Sequence, residues 1–188
     1  SGPWEVFGLR VVFSIIFCLV LLTLLRAWPR FLAVARNRRS LVLTAVAGVL
    51  VYVNWQIFLI GTLSGNVLET SLGYFINPLF TVLLAVLVLR ERLRITQWIA
   101  LGIAGVAVAV IIVGYGTFPW IALSLAASFS LYGLVKNRLG PSVDAVSGLT
   151  LETFWLLPIA IVQLVIVQLT TGLTFGTGPA WHTLLLCL

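Results

Sequence analysis

Methionine is absent from all 188 residues, histidine occurs once, cysteine twice, and only five residues are acidic. These scarcities exclude several kinds of chemistry. With His182 as the lone histidine at the edge of an apolar run, there is no Ser-His-Asp arrangement, and a structural or interfacial role fits it better than metal ligation. Cys18 and Cys187 lie in apolar runs without metal-type spacing, so neither a disulfide framework nor a zinc site is supported. No glycine-rich phosphate loop and no cluster of carboxylates is present. An intramembrane enzyme is therefore a poor alternative, and no cofactor or metal is expected.

Hydrophobic residues make up 61% of the chain and charged residues 9%, with a mean hydropathy of +1.18. This lies far from the composition of soluble globular domains. A hydrocarbon core about 30 Å thick needs roughly 20 apolar residues as helix. Runs of that length stand at 6–25, 41–63, 67–89, 95–113, 118–135 and 145–169, and a seventh begins near Pro179. The expected fold class is an all-α integral membrane protein, a polytopic helical bundle.

The positive charges are placed as that fold requires. Arg26, Arg30, Arg36, Arg38 and Arg39 fill the first basic stretch, Arg90, Arg92 and Arg94 the second, and Lys136 and Arg138 the third. The intervening gaps near 64–66, 114–118 and 170–179 carry no Lys or Arg. Cytoplasmic loops retain basic residues and translocated loops lose them, so the alternation reads as a topology with residue 1 on the outer side. The same reading accounts for the pI near 10.2 without nucleic acid as a partner. Contact with anionic membrane lipid is expected at 26–40.

The missing initiator Met, an outer first residue with nothing to carry it across, and a last run too short to span lead to one expectation. The chain is a piece of a longer protein, with an earlier span and several later ones outside it. The first run is not a removed signal peptide, because it is too long and its arginines follow it.

Five of the seven tryptophans, Trp4, Trp28, Trp98, Trp120 and Trp181, fall at span ends, where such rings favour the headgroup layer. Trp55 and Trp155 lie inside spans. Ala100, Ala104, Gly105 and Ala109 give the 95–113 run a small face suited to close helix packing, which marks it as scaffold. The more informative residues are polar ones placed within the bilayer. Glu69, Gly73, Asn77 and Thr81 recur every fourth residue and form one stripe along a helix. Pro78 lacks an N–H and frees the carbonyl of Tyr74, and Pro158 does the same for Phe154, so both predict helix kinks. A freed carbonyl at membrane depth needs protein or a water-filled cavity beside it. Arg10 and Glu152 are costly in a span, at about 2.5–3.5 kcal/mol for a central charge, and such residues mark pathways or ion pairs. Arg10 and Glu69 are also close enough to the outer interface to snorkel. Asn54 and Gln56 cannot face one cavity together, since residues two apart on a helix point about 200° apart.

The run GNVLETSLGYFINPLFTVLLAVLVLRERL at 65–93 resembles the RarD group of EamA-type transporters in the drug/metabolite transporter superfamily. NWQIFLI at 54–60, LYGLVKNRLG at 131–140 and LETFWLLP at 151–158 agree in order, so the resemblance covers essentially the whole chain. It implies ten helices built as two inverted five-helix repeats. Residues 1–115 would then be helices two to five of the first repeat, and residues 116–188 helices six, seven and the start of eight. Arg10-Val-Val-Phe-Ser and Glu152-Thr-Phe-Trp-Leu would occupy matching places in the two repeats. Small multidrug members of the superfamily couple protons through a Glu in their first helix. Glu152 is placed differently, so that mechanism does not carry over.

The expected function is transport of a small organic solute, a drug or metabolite, across a bacterial inner membrane by alternating access, of the chloramphenicol-sensitivity permease type. Arg10, Asn54, Glu69, Tyr74, Asn77, Glu152 and Trp155 would line the substrate cavity. Glu152 would either exchange a coupling proton or form a fixed salt bridge with Arg10. A non-transporting membrane scaffold or assembly protein is the alternative, with a channel behind it.

Overall fold

The computed structural model describes residues 3–90, 92–116, 118–140 and 143–170, with the side chains of 3–7, 115 and 170 excepted. The run beginning near Pro179, with Trp181, His182 and Cys187, lies outside the described residues. Seven helices are present among the described residues: α1 Pro3–Leu24, α2 Trp28–Arg36, α3 Arg38–Leu63, α4 Val67–Val88, α5 Ile95–Tyr115, α6 Trp120–Leu139 and α7 Ala145–Thr170. Six coincide with the six predicted runs. By length and apolarity, α3, α4, Ile95–Gly114 of α5 and Ala145–Leu169 of α7 are able to cross a membrane, and α1 qualifies together with α2 as a bent pair. α6 falls short of that standard because Ser124, Ser128, Ser130, Lys136, Asn137 and Arg138 dilute its apolar run.

The loop expected at 26–40 contains α2, which hydropathy alone does not reveal because its residues are basic and apolar in mixture. Its preceding turn is a Schellman closure of α1. Ala27 N–H donates to the Leu22 carbonyl at 2.9 Å, and Arg26 N–H to the Thr23 carbonyl at 3.2 Å. Arg26 sits at φ 49°, the left-handed position normally given to glycine. The α3–α4 connection uses the same motif with the usual residue. Asn66 N–H reaches the Gly61 carbonyl at 2.9 Å, and Gly65 sits at φ 78°. Arg26→Gly is therefore expected to raise thermal stability in detergent by about 1 kcal/mol, the cost of a side chain in that conformation. Unchanged or lower melting would contradict the strain.

The chain divides into two compact units, residues 1–49 with 139–188 and residues 50–138. In the first, α1 packs along α7. Val11, Ile15, Cys18 and Leu22 are all buried, and their 4-3-4 spacing forms one stripe down the helix. The Thr150 and Thr153 hydroxyls of α7 donate to the Val146 and Leu149 carbonyls at 2.7 and 2.8 Å. Glycines make the close approaches. A Cβ at Gly8 would lie 2.5 Å from Leu164 Cγ, and one at Gly48 would lie 3.3 Å from the Glu152 carbonyl oxygen.

In the second unit, Leu72, Ile76, Ala122 and Ala126 form a buried cluster between α4 and α6, with Phe80, Leu123 and Val108 of α5 packed against it. α5 begins with Gln97 Oε1 accepting the Arg94 N–H at 2.8 Å and ends at Gly116, φ 74°. A Cβ built at Gly102 or Gly105 of α5 would meet no other part of the fold within 4 Å among the described residues.

Candidate functional site

The stripe Glu69, Gly73, Asn77 and Thr81 runs down the face of α4 that meets α6. At its top, Glu69 is 8% exposed, and its Oε1 accepts the backbone N–H of Ile121 at 2.8 Å. That N–H is in the first turn of α6, preceded by Pro119, which has no side-chain acceptor to offer. A helix N-terminus carries unpaired N–H groups and partial positive charge. The carboxylate of α4 thus caps α6 from a distance of 52 residues in sequence. One turn on, Gly73 lets the helices touch, since a Cβ there would stand 3.0 Å from Leu125 Cβ, 3.1 Å from the Ala122 carbonyl oxygen and 3.2 Å from Ala122 Cα.

A second turn down, Ser130 Oγ donates to Asn77 Oδ1 at 2.8 Å and lies 3.2 Å from the Asn77 carbonyl oxygen. Thr81 Oγ1 donates to that carbonyl at 2.9 Å and stands 3.1 Å from Ser130 Oγ. α3 joins α6 similarly. Asn54 Nδ2 donates to the Leu125 carbonyl at 3.1 Å and to Ser128 Oγ at 2.9 Å. The polar groups of α3 and α4 therefore converge on one helix, α6. Ser128 and Ser130, which complete these bonds, escaped the sequence reading. Serines inside an apolar run were the signal that could have found them.

Asn54 engages α6, whereas Gln56 does not. Its Oε1 and Nε2 are both shielded and have no hydrogen-bond partner among the described residues. An unpaired buried amide is costly, and a bound molecule could satisfy it. Tyr74 is 52% exposed and meets Phe58 edge-on, with ring centroids 6.0 Å apart. α4 runs on through Pro78.

The remaining sequence candidates belong to the first unit. Glu152 is 5% exposed, beside the α3 backbone at Gly48, while Arg10 is exposed. Neither is without a partner. Trp155 is at the margin of exposure, with its Cβ 3.7 Å from the Cβ position at Gly48. α7 continues through Pro158. No group of three or more His, Cys, Asp or Glu residues able to hold a metal occurs among the described residues.

The sequence matches the EamA-like transporter family over residues 1–113. It is 40% identical over 186 residues to Protein RarD of Streptomyces exfoliatus, covering 99% of this chain and 58% of that protein. It is 37% identical over 182 residues to Protein RarD of Escherichia coli strain K12, covering 97% and 61%. With the Chloramphenicol-sensitive protein RarD of Pseudomonas aeruginosa it shares 33% over 164 residues, covering 85% and 54%. The chain thus spans a little over half the length of these curated relatives. No solved structure matches. Long apolar helices, the family match and RarD relatives along nearly its whole length agree: this multi-pass membrane chain belongs to the EamA-like transporter family, a family of transporters rather than enzymes.

Proposed function

We propose that the chain is the larger part of a secondary transporter of the bacterial inner membrane that moves a small organic solute by alternating access. The proposed solute class is a drug or metabolite, and the Pseudomonas relative's name, Chloramphenicol-sensitive protein RarD, makes chloramphenicol the first drug to try. The architecture is ten helices in two inverted repeats, with residues 1–115 supplying helices two to five and residues 116–188 opening the second repeat. The observation that carries the reading is the convergence of Asn54, Glu69 and Asn77 on α6.

Interhelical hydrogen bonds in membranes contribute about 0.6 kcal/mol each on average. A seam of such bonds is strong enough to close and weak enough to part. Asn54, Glu69, Tyr74 and Asn77 line the solute path when it parts, and Arg10, Glu152 and Trp155 are the candidates for solute contact in the other unit. Pro78 and Pro158 are the places where α4 and α7 flex, because each removes one rung of the helix ladder. A membrane scaffold would have no use for a reversible polar seam.

The test is counterflow in liposomes holding the complete transporter, run against antibiotics and amino acids. Solute-specific exchange supports the reading, and its absence across the panel rejects it. In the same liposomes, Glu152→Gln is expected to lower pH-gradient-driven uptake at least tenfold while exchange persists. Unchanged uptake would rule out proton coupling through Glu152 and leave it a fixed structural charge.

A further inference from the structure

The helix that hydropathy did not reveal, α2, has a surface of its own. Its axis turns 117° from that of α1. With α1 near the bilayer normal, α2 lies within about 30° of the membrane plane, the orientation in which interfacial helices bind. The turn is held firmly. Besides the Schellman bonds, Trp28 Nε1 donates to Thr23 Oγ1 at 3.3 Å, and the Trp28 and Phe31 rings meet edge-on at 6.0 Å. Val34 and Ala27 are buried, and α2 packs against both α1 and α7. At its far end, Asn37 Oδ1 accepts the Arg39 N–H at 3.0 Å and starts α3.

The outer side of this platform has two characters. Leu24, Leu25, Trp28 and Leu32 are exposed, Trp28 at 40% and Leu32 at 54%. Arg26, Arg30, Arg36, Arg38 and Arg39 are all exposed as well. No acidic residue occurs anywhere between Glu5 and Glu69, so no carboxylate in this stretch of sequence neutralises them. A soluble anion would answer the arginines and leave the leucines and the indole in water. A phospholipid answers both: its phosphate meets the guanidinium groups and its acyl chains cover the apolar side chains.

We infer that the α1–α2 elbow is a binding surface for anionic phospholipid headgroups, with Arg30 and Arg36 on α2 supplying the charge and Trp28 and Leu32 entering the acyl boundary. The inference is independent of the transport reading, since it concerns only α2 and its supports.

Its test uses the complete transporter reconstituted in mixed phosphatidylcholine and phosphatidylglycerol bilayers. Spin-labelled versions of each lipid report which is held at the protein surface. The wild-type chain is expected to prefer phosphatidylglycerol, and R30Q/R36Q to lower that preference at least about fivefold, the share of one basic residue near a charged surface. R30K/R36K, which keeps the charge, should retain it, and R92Q/R94Q should lower it less. A nitroxide at Leu32→Cys should collide more readily with oxygen than with an aqueous nickel chelate. An R30Q/R36Q preference equal to wild type, a loss matched by R92Q/R94Q, or a water-exposed label at position 32 would each overturn the inference.

Discussion

Glu69→Ala is expected to cut transport at least tenfold and to destabilise the protein by about 2 kcal/mol, the upper range for losing a helix cap. The reason is the 2.8 Å bond from Ile121 N–H to Glu69 Oε1. α6 starts at Trp120 behind a proline and has no acceptor of its own there. Removing the carboxylate leaves a first-turn N–H without its partner in a setting with little water to replace it. Glu69→Gln separates the cap from other roles of the charge. Its amide oxygen can still accept the bond, so stability should fall by less than about 1 kcal/mol, because only the charge assistance and dipole interaction are lost. If Gln and Ala melt alike, the cap is not the reason Glu69 is there. If Gln keeps stability but loses transport, the charge itself serves the solute or a coupling ion.

Gly73→Leu has the second large expected effect. The Cβ alone would press on the Ala122 carbonyl oxygen and Cα, at 3.1 and 3.2 Å. Both atoms belong to the α6 backbone, which cannot swing aside as a side chain would. The leucine must push α4 and α6 apart, and overpacking of this kind costs typically about 1–3 kcal/mol. The separation would also lengthen the Asn77–Ser130 bond one turn below, so transport should be lost even where the variant reaches the membrane. Gly102→Leu on α5 is the control, since a Cβ there would meet no other part of the fold within 4 Å among the described residues. Thermal melting of the two variants in one detergent checks the contrast, and equal melting would contradict the packed seam.

The sequence disclosed the helices well because spans are set by bilayer thickness, a constraint that acts on each segment alone. Glu69, Gly73, Asn77 and Thr81 could be placed on one face from their spacing for a similar reason. What that face meets is a matter of tertiary choice, and no local pattern pointed to α6 or to Ser130. The undecided pair on α3 was of the same kind: periodicity separates Asn54 from Gln56 by about 200°, but only the fold shows that Asn54 reaches Ser128. α2 was missed because its arginines lowered its hydropathy below that of a span while its apolar face was still enough to pack. On α5, the small residues satisfy the pattern for close packing, and a Cβ built at Gly105 would meet no other part of the fold within 4 Å among the described residues. A pattern permits contact and does not supply the partner.

In the proposed mechanism the polar stripe of α4, which lies against α6, parts for solute to pass. Asn77→Cys with Ser130→Cys places two thiols side by side on α4 and α6, on side chains whose Oδ1 and Oγ now stand 2.8 Å apart. Oxidation of the complete transporter in membranes should join them rapidly, stop counterflow, and release it again on reduction. Failure to join, or a joined protein that still exchanges solute, would contradict the account.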